Sequence, residues 1–421
     1  MKISSSFLKI LSAFAVSFLL PSFLLPSVLL ARVPSTFSGS DAGALPRTVF
    51  VGGQAQHVQG IAYDAQKDCM YMSFTSRFLK VDMQGNILAS IDRIQGHLGA
   101  MTFNPADRKV YASLECKDDE IGRGIAKVLN VDAVSRSEST FYIAIIDVDS
   151  LDALAVDPEN NDVLKTVCVR KAVEDYSFKS PDGSFEHRYG CSGIDGVAIA
   201  PEIAPVKPAK YASSKESSPA VDRKMYLYVG YGIYGDVNRT DNDYQVIQRY
   251  DIDQLNALAR PVIFGQTHSE GPDKPDREYF VYTGNTNYGI QNMAYDPYTE
   301  CMFMAVYKGK KSNYPNYRLF AFNINQKPFK AGLRGGRDKS RHLQLTLAKP
   351  QEPGFVSPIR DDATGITGWN FKWGSTGLCP IGQGWWYISE NARDKQTKKE
   401  SCTARLYKWT GKPEGPFIPA E

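Results

Sequence analysis

Four stretches of this chain repeat one phrase: "HVQGIAYD" (57–64), "HLGAMTFNP" (97–105), "CSGIDGVAIAP" (191–201) and "NYGIQNMAYDP" (287–297). Each joins a small polar stretch with Gly to a short apolar run, then a turn marked by Asp, Asn or Pro. A short unit of this kind cannot bury its apolar face alone. It must stack on copies of itself, so the repeat restricts the fold to arrays and rings. At 421 residues the chain is within range for one repeat-built domain.

Strands that follow the phrase are matched sets as well. With the phrase as strand a, strand b is "CMYMSF" (69–74), "KVYASLE" (109–115), "KMYLYVGY" (224–231), "CMFMAVY" (301–307) and "GWWYISE" (384–390). Strand c is "RFLKVDMQG" (77–85), "FYIAIIDVDS" (141–150), "QVIQRYDIDQ" (245–254), "YRLFAFNINQ" (317–326) and "ARLYKWTG" (404–411). These run or alternate apolar and end at Asp, Asn or Gly, as in a meander. A weaker strand d follows in "ILASIDRI" (87–94), "VLKTVCVRK" (163–171), "EYFVYTG" (278–284) and "HLQLTLA" (342–348). A fifth strand a is "GLCPIG" (377–382). No long amphipathic helix pattern separates the strands, which disfavours a parallel α/β fold, and residues 202–222 read as a surface loop.

The pattern resembles the β-propeller superfamily, in the five-bladed form met in secreted bacterial proteins. The resemblance covers about residues 47–415. It rests on blade pattern, since no Trp-Asp or kelch signature is present, and implies fold rather than activity. After the last strand c only "KPEGPFIPAE" remains, too Pro-rich for an ordinary strand d. "RTVFVGGQ" (47–54) stands before the first strand a, where a strand d belongs. The expected fold class is therefore an all-β, five-bladed β-propeller closed by the N-terminal strand completing the last blade, which hides both sheet edges. The expected organisation is a signal peptide (1–31), a linker (32–46) and the propeller (47–421).

The N-terminal expectation rests on Lys2 and Lys9 ahead of an apolar run, with Ala31 before a cleavage point. The run is long enough to span a bilayer, but Pro21 and Pro26 break a straight helix. The expected location is secreted or periplasmic, with no stable membrane span after signal cleavage. With 49 basic and 46 acidic residues, nothing predicts a nucleic-acid partner. Aromatics form 12% of the chain, which suits an all-β protein with ligand-facing rings. The seven cysteines form no CxxC, and Cys69 and Cys301 stand at equivalent strand positions, which suits core residues better than a bridge.

In a propeller the d-to-a and b-to-c connections open on one face. The candidate catalytic residues that reach it are His57, His97, Asp195, Glu115 and Glu390. Glu115 and Glu390 end strand b where other blades carry Phe74, Tyr231 and Tyr307, and a carboxylate there is costly to desolvate unless paired or used. The candidate substrate-binding residues are Tyr189, Tyr231, Tyr234, Tyr288, Tyr307, Lys308, Trp373, Asn391 and Arg393. Paired carboxylates with aromatic platforms point to glycoside hydrolysis, and the imidazoles to the general base of a polysaccharide lyase. The expected partner is a glycan or another small or oligomeric ligand. A non-catalytic propeller that binds a glycan or protein on the same face is the alternative. "GDVNRTDNDY" (235–244) offers Asp236, Asp241 and Asp243 as a calcium set, without EF-hand spacing, and a central ion would permit a metal-dependent phosphohydrolase. No GxSxG, HExxH or Walker A motif is present.

Overall fold

The computed structural model describes residues 44–131, 139–159, 161–204, 223–350 and 355–421. The signal segment, most of the linker, and residues 205–222 of the surface loop lie outside the described residues.

Five antiparallel sheets follow one another along the chain and form a five-bladed β-propeller. Blade 1 runs Gly60–Asp64, Cys69–Ser73, Phe78–Asp82 and Ile87–Ile91 as strands a to d. Blade 2 runs His97–Asn104, Lys109–Cys116, Thr140–Asp147 and Leu164–Cys168. Blade 3 runs Cys191–Pro201, Met225–Ile233, Tyr244–Asp251 and Arg277–Tyr282. Blade 4 holds Thr286–Asp296, Cys301–Lys308 and Leu319–Asn323. Blade 5 holds Leu378–Gly382, Trp385–Arg393 and Glu400–Trp409.

The outer strand of blade 5 is Thr48–Gln54, paired antiparallel with Glu400–Trp409 from Thr48↔Arg405 to Gln54↔Glu400. The C-terminal segment shares this edge with Thr48–Gln54, because Phe417–Pro419 pairs with residues 407–409. Leu406 marks the handover. Its N–H donates to the carbonyl of Arg47 at 2.9 Å, and its carbonyl accepts from the N–H of Ala420 at 2.9 Å. The Pro-rich tail thus supplies the three-residue strand that the N-terminal strand is too short to replace.

Period-two alternation sends the two faces of each blade into different seams. Among the described residues the apolar side chains form five clusters, each between two adjacent blades. In strand b of blade 2, Val110, Ala112 and Leu114 enter the seam with blade 1, while Tyr111 enters the seam with blade 3. Cys69 and Cys301 are free, buried thiols, each turned into the seam with the following blade. Gly60 and Gly99 explain the glycines of the repeated phrase. A Cβ on Gly60 would stand 2.8 Å from the Met101 nitrogen, and one on Gly99 would stand 2.3 Å from Ser113 Oγ. The innermost strands approach too closely at the axis for a side chain.

One strand lies elsewhere than expected. His342–Leu345 pairs parallel with strand d of blade 3, not with blade 4, and Phe329–Ala331 pairs with it in turn. The outer place in blade 4 is taken by Trp369, which exchanges backbone hydrogen bonds with Leu319 at 2.9 and 3.1 Å. A short apolar strand can pair with any free edge, and the outer edge of blade 3 was free. Among the described residues three α-helices fill connections: α1 (Glu120–Leu129), α2 (Arg170–Ser177) and α3 (Ile252–Leu258). Two of them are capped by local acids, Asp119 for α1 and Asp251 for α3. Among the described residues no helix is long and apolar enough to cross a membrane.

Candidate functional site

Strand register builds the site. His97 opens strand a of blade 2 and stands opposite Glu115, the last residue but one of strand b. Glu115 shares parity with Tyr111, so its side chain turns into the seam with blade 3. There Oε1 accepts the N–H of Ile194 at 2.6 Å, and Oε2 meets Lys117 Nζ at 2.7 Å. A Cβ on Gly193 would overlap the carboxylate, at 1.9 Å from Oε1, so glycine is required beside it. Lys117 is buried too. Its ammonium donates to the carbonyl of Ser192 at 3.0 Å and lies 3.5 Å from Asp119 Oδ2, while Asp119 Oδ1 caps α1 through the N–H of Gly122.

Burial pushes the Glu115 carboxyl upward, against the pull of Lys117 and the Ile194 N–H. Burial opposes charge on Lys117 as well, yet Glu115 and Asp119 hold its ammonium well above the usual range. The two shifts point to opposite protonation states for the pair. The 2.7 Å ammonium contact and the second donor from Ile194 decide for an ionised pair.

Asp195, on strand a of blade 3, lies beside this pair. Its Oδ1 is 3.8 Å from His97 Nδ1, and its Oδ2 accepts from Gln291 Nε2 of blade 4 at 3.0 Å. Burial, then the Glu115 charge, raises its pKa to about 8, against Lys117 and Gln291. Burial, then Lys117 and His57, lowers that of His97 to about 3. His97 Nδ1 has no hydrogen-bond partner among the described residues. The two side chains keep 14% and 17% of their surface exposed, so both reach solvent at the mouth. These opposite shifts favour a protonated carboxyl beside a neutral imidazole at neutral pH.

His57 completes the group from blade 1. Its Nε2 is 3.0 Å from Gln59 Nε2, and burial lowers its pKa against the nearby Glu400. Tyr307 closes the blade-4 side, where burial and Asp195 raise its phenol. Asn292, buried at the axis, donates to the carbonyls of Gln59 at 2.9 Å and Ser375 at 3.0 Å, joining blades 4, 1 and 5.

Four of the five candidate catalytic residues, His57, His97, Glu115 and Asp195, therefore meet at one mouth. Glu390 does not. It shares parity with Trp386 and Ile388, which face blade 4, and its carboxylate is taken by Arg405 Nε at 2.7 Å and Tyr407 OH at 2.6 Å. Tyr231 is fully buried between blades 2 and 3, where its hydroxyl donates to Asp175 at 3.1 Å. Tyr189 is buried against Phe280 and His342. Neither ring is a mouth platform. Lys308, Asn391 and Arg393 are exposed, and Trp373 is half-buried beneath Lys372. Tyr234 and Tyr288 line an open pocket of about 590 Å³ next to the mouth, with Asn287, Asp236 and Arg239.

The calcium reading fails on the donors. Asp241 is held by Arg239 at 2.5 Å and Arg337 at 3.2 Å, and Asp243 by Lys311 at 2.6 Å and Tyr314 OH at 2.8 Å. Asp236 accepts the N–H of Asn238 at 2.8 Å. Among the described residues no three His, Cys, Asp or Glu side chains converge on a metal position, so the phosphohydrolase reading loses its centre. Lys117 and Gln291 were not singled out from the sequence. The Glu-x-Lys spacing at a strand end carried a signal, since residues two apart share a face.

No family model matches the chain. No curated protein matches it. Among solved structures it is similar to the β-propeller domain of Myceliophteria thermophila Cps50 (Swd1), at 8% identity, 84% coverage of each chain and a TM-score of 0.31. Similarity at that level carries no argument about function.

Proposed function

We propose that this protein is an exported carbohydrate-active enzyme, a glycoside hydrolase whose proton donor is Asp195. One observation carries the reading: a carboxyl with pKa raised to about 8 lies 3.8 Å from an imidazole lowered to about 3. Environments that push two titratable groups apart mark an acid and a base. Cleavage of a glycosidic bond needs a proton on the leaving oxygen, and its transition state gathers positive charge at the anomeric carbon. The charged groups that act on the Asp195–His97 pair are Glu115, Asp119 and Lys117, two carboxylates against one ammonium, which favours that charge. The same balance opposes a uronate carboxylate, so hydrolysis is favoured over elimination.

In this scheme Asp195 protonates the leaving oxygen as its bond to the anomeric carbon breaks. The resulting carboxylate keeps the Gln291 hydrogen bond. Incoming water adds its oxygen to the anomeric carbon and gives its proton to His97, which returns it to Asp195. Glu115 acts through Lys117 and through its charge on Asp195. Export rests on the segment 1–31.

The test is release of reducing ends from a broad panel of soluble glycans. Asp195→Asn is expected to reduce turnover by about 10²–10⁴-fold, the usual range for general acid–base catalysis. In the parent protein, activity should fall as pH rises through about 8, where Asp195 loses its proton. Turnover unchanged in the Asn variant overturns the assignment. Glycan binding without turnover across the panel supports the non-catalytic reading instead.

Stability supplies a second measurement. The Asp195 pKa is raised on folding, from 3.8 to about 8, so its penalty is absent below pH 4 and complete above pH 8. Asp195→Asn is expected to melt higher than the parent at pH 8.5, with the gap closing toward pH 4, at an advantage of up to ~6 kcal/mol when complete, about 1.4 kcal/mol per unit of the rise. Equal melting curves at both pH values contradict the raised pKa.

A further inference from the structure

The same turn occurs in two blades with different outcomes. Residues 189–190 and 288–289 are both Tyr-Gly; the first pair stands just before strand a of blade 3, and the second forms a bulge within strand a of blade 4, between the pairs Asn287↔Tyr307 and Ile290↔Val306. Tyr189 has φ 56° and Gly190 φ 74°, while Tyr288 has φ 63° and Gly289 φ 65°. A tyrosine in the left-handed region is strained, and such strain clusters where the surroundings hold a ring for use. In blade 3 the ring is absorbed by the core against Phe280. In blade 4 the ring of Tyr288 stays 47% exposed. Gly289 pins the turn, since a Cβ there would stand 2.5 Å from the carbonyl oxygen of Tyr231.

Tyr288 stands on the wall of the 590 Å³ pocket between blades 3 and 4, together with Tyr234, His187, Asn287, Arg239 and Arg337. The volume suits a small-molecule site. The pocket is tied to the mouth through one amide: Gln291 Nε2 donates to the Tyr288 carbonyl at 3.0 Å and to Asp195 Oδ2 at 3.0 Å. Charges on the pocket wall cancel. Arg239 and Arg337 share Asp241, Glu186 pairs with Lys179 at 2.8 Å, and Asp236 is the remaining acid. The lining itself carries two cations, Arg239 and Arg337, against two anions, Glu186 and Asp236, and the partners behind the wall, Asp241 and Lys179, cancel as well. Aromatic faces beside amides and guanidinium groups, with no net charge, match the apolar face and hydroxyl rim of an uncharged sugar ring.

We propose that this pocket is a subsite for an uncharged glycosyl residue, with the exposed Tyr288 ring as its stacking platform. The inference rests on the glycan reading of the mouth and adds the class of ring held beside it.

Tyr288→Asn tests it, because Asn tolerates the left-handed turn and removes the ring. The probes are neutral hexasaccharides of the cello-, xylo-, malto- and chito- series, with oligogalacturonate as the acidic comparison. Affinity is read by calorimetry on the Asp195→Asn background, where turnover does not interfere. The expected result is about tenfold weaker binding of the preferred neutral oligosaccharide, an unchanged or higher Tm, and near-parental binding in Tyr288→Phe. Unchanged affinity in Tyr288→Asn overturns the subsite and leaves the proposed hydrolase intact. Preference for oligogalacturonate overturns the uncharged class. Absence of binding to every glycan overturns the subsite together with the glycan reading of the mouth.

Discussion

Lys117→Met is expected to lower the unfolding free energy by about 3–5 kcal/mol at pH 7. The substitution leaves Glu115 buried, with only the Ile194 N–H as donor. Met occupies much of the volume of the lysine stem, so the loss reports charge and not a cavity. Glu115 must then either stay ionised without its ammonium or take up a proton. Its pKa, already raised by burial, would rise further once Lys117 no longer pulls it down. A pKa raised on folding makes stability fall as pH climbs above the unfolded value, 4.5 here. The variant should therefore lie closest to the parent near pH 4 and furthest from it at pH 8. The double change Glu115→Gln with Lys117→Met should recover much of the loss, since it removes both charges. Urea unfolding at the two pH values measures all three proteins. A single-variant loss below 1 kcal/mol at pH 8 would show that the pair is not the ionised lock its geometry implies. Glu115→Gln alone is expected to reduce stability as well as any turnover, because it leaves Lys117 beside a neutral amide.

Removing residues 47–54 is expected to abolish the folded ring. Val49 and Val51 are buried in the seam between blades 5 and 1, and each fully buried valine is worth about 1.5–3 kcal/mol. Their loss alone approaches the ~5–15 kcal/mol that holds an ordinary domain. The deletion also bares the strand Glu400–Trp409, whose hydrogen-bonding groups then seek another edge. The deleted protein should collect in the insoluble fraction, and a synthetic peptide of residues 44–55 added during refolding should restore part of the soluble yield. A soluble deletion variant with the parental Tm would refute closure by this strand. Val49→Asp offers a milder version, since it keeps the backbone ladder and places a carboxylate in the seam.

Much of the architecture was legible before any coordinates. Strand b and strand c recur in five matched sets, and their period-two pattern needs only the local backbone to produce it. Closure was legible because one spare strand precedes the first blade and a Pro-rich tail follows the last. The helix α1 carries a helical period in Ile121, Ile125, Val128 and Leu129 behind its cap Asp119, but Gly122 and Gly124, poor helix formers, mask it in the sequence. The strand at 342–348 was read in the right conformation and the wrong blade, because edge pairing is decided by which edge is free and not by the pairing strand.

The site divides along the same line. Sequence determined that His57, His97, Asp195, Glu115 and Glu390 lie near strand ends that open on one face, since antiparallel order fixes those ends. Only the tertiary structure decided what each side chain meets. Alternation turns Glu115 toward blade 3 and Glu390 toward blade 4, and the ring then supplies Lys117 and the Ile194 N–H to the first, Arg405 and Tyr407 to the second. The two carboxylates look alike in the sequence because residue type sets intrinsic acidity. They differ in the fold because each is held by different partners: Glu115 by Lys117 two positions on and by the Ile194 N–H of the next blade, Glu390 by Arg405 and Tyr407 of the adjoining strand.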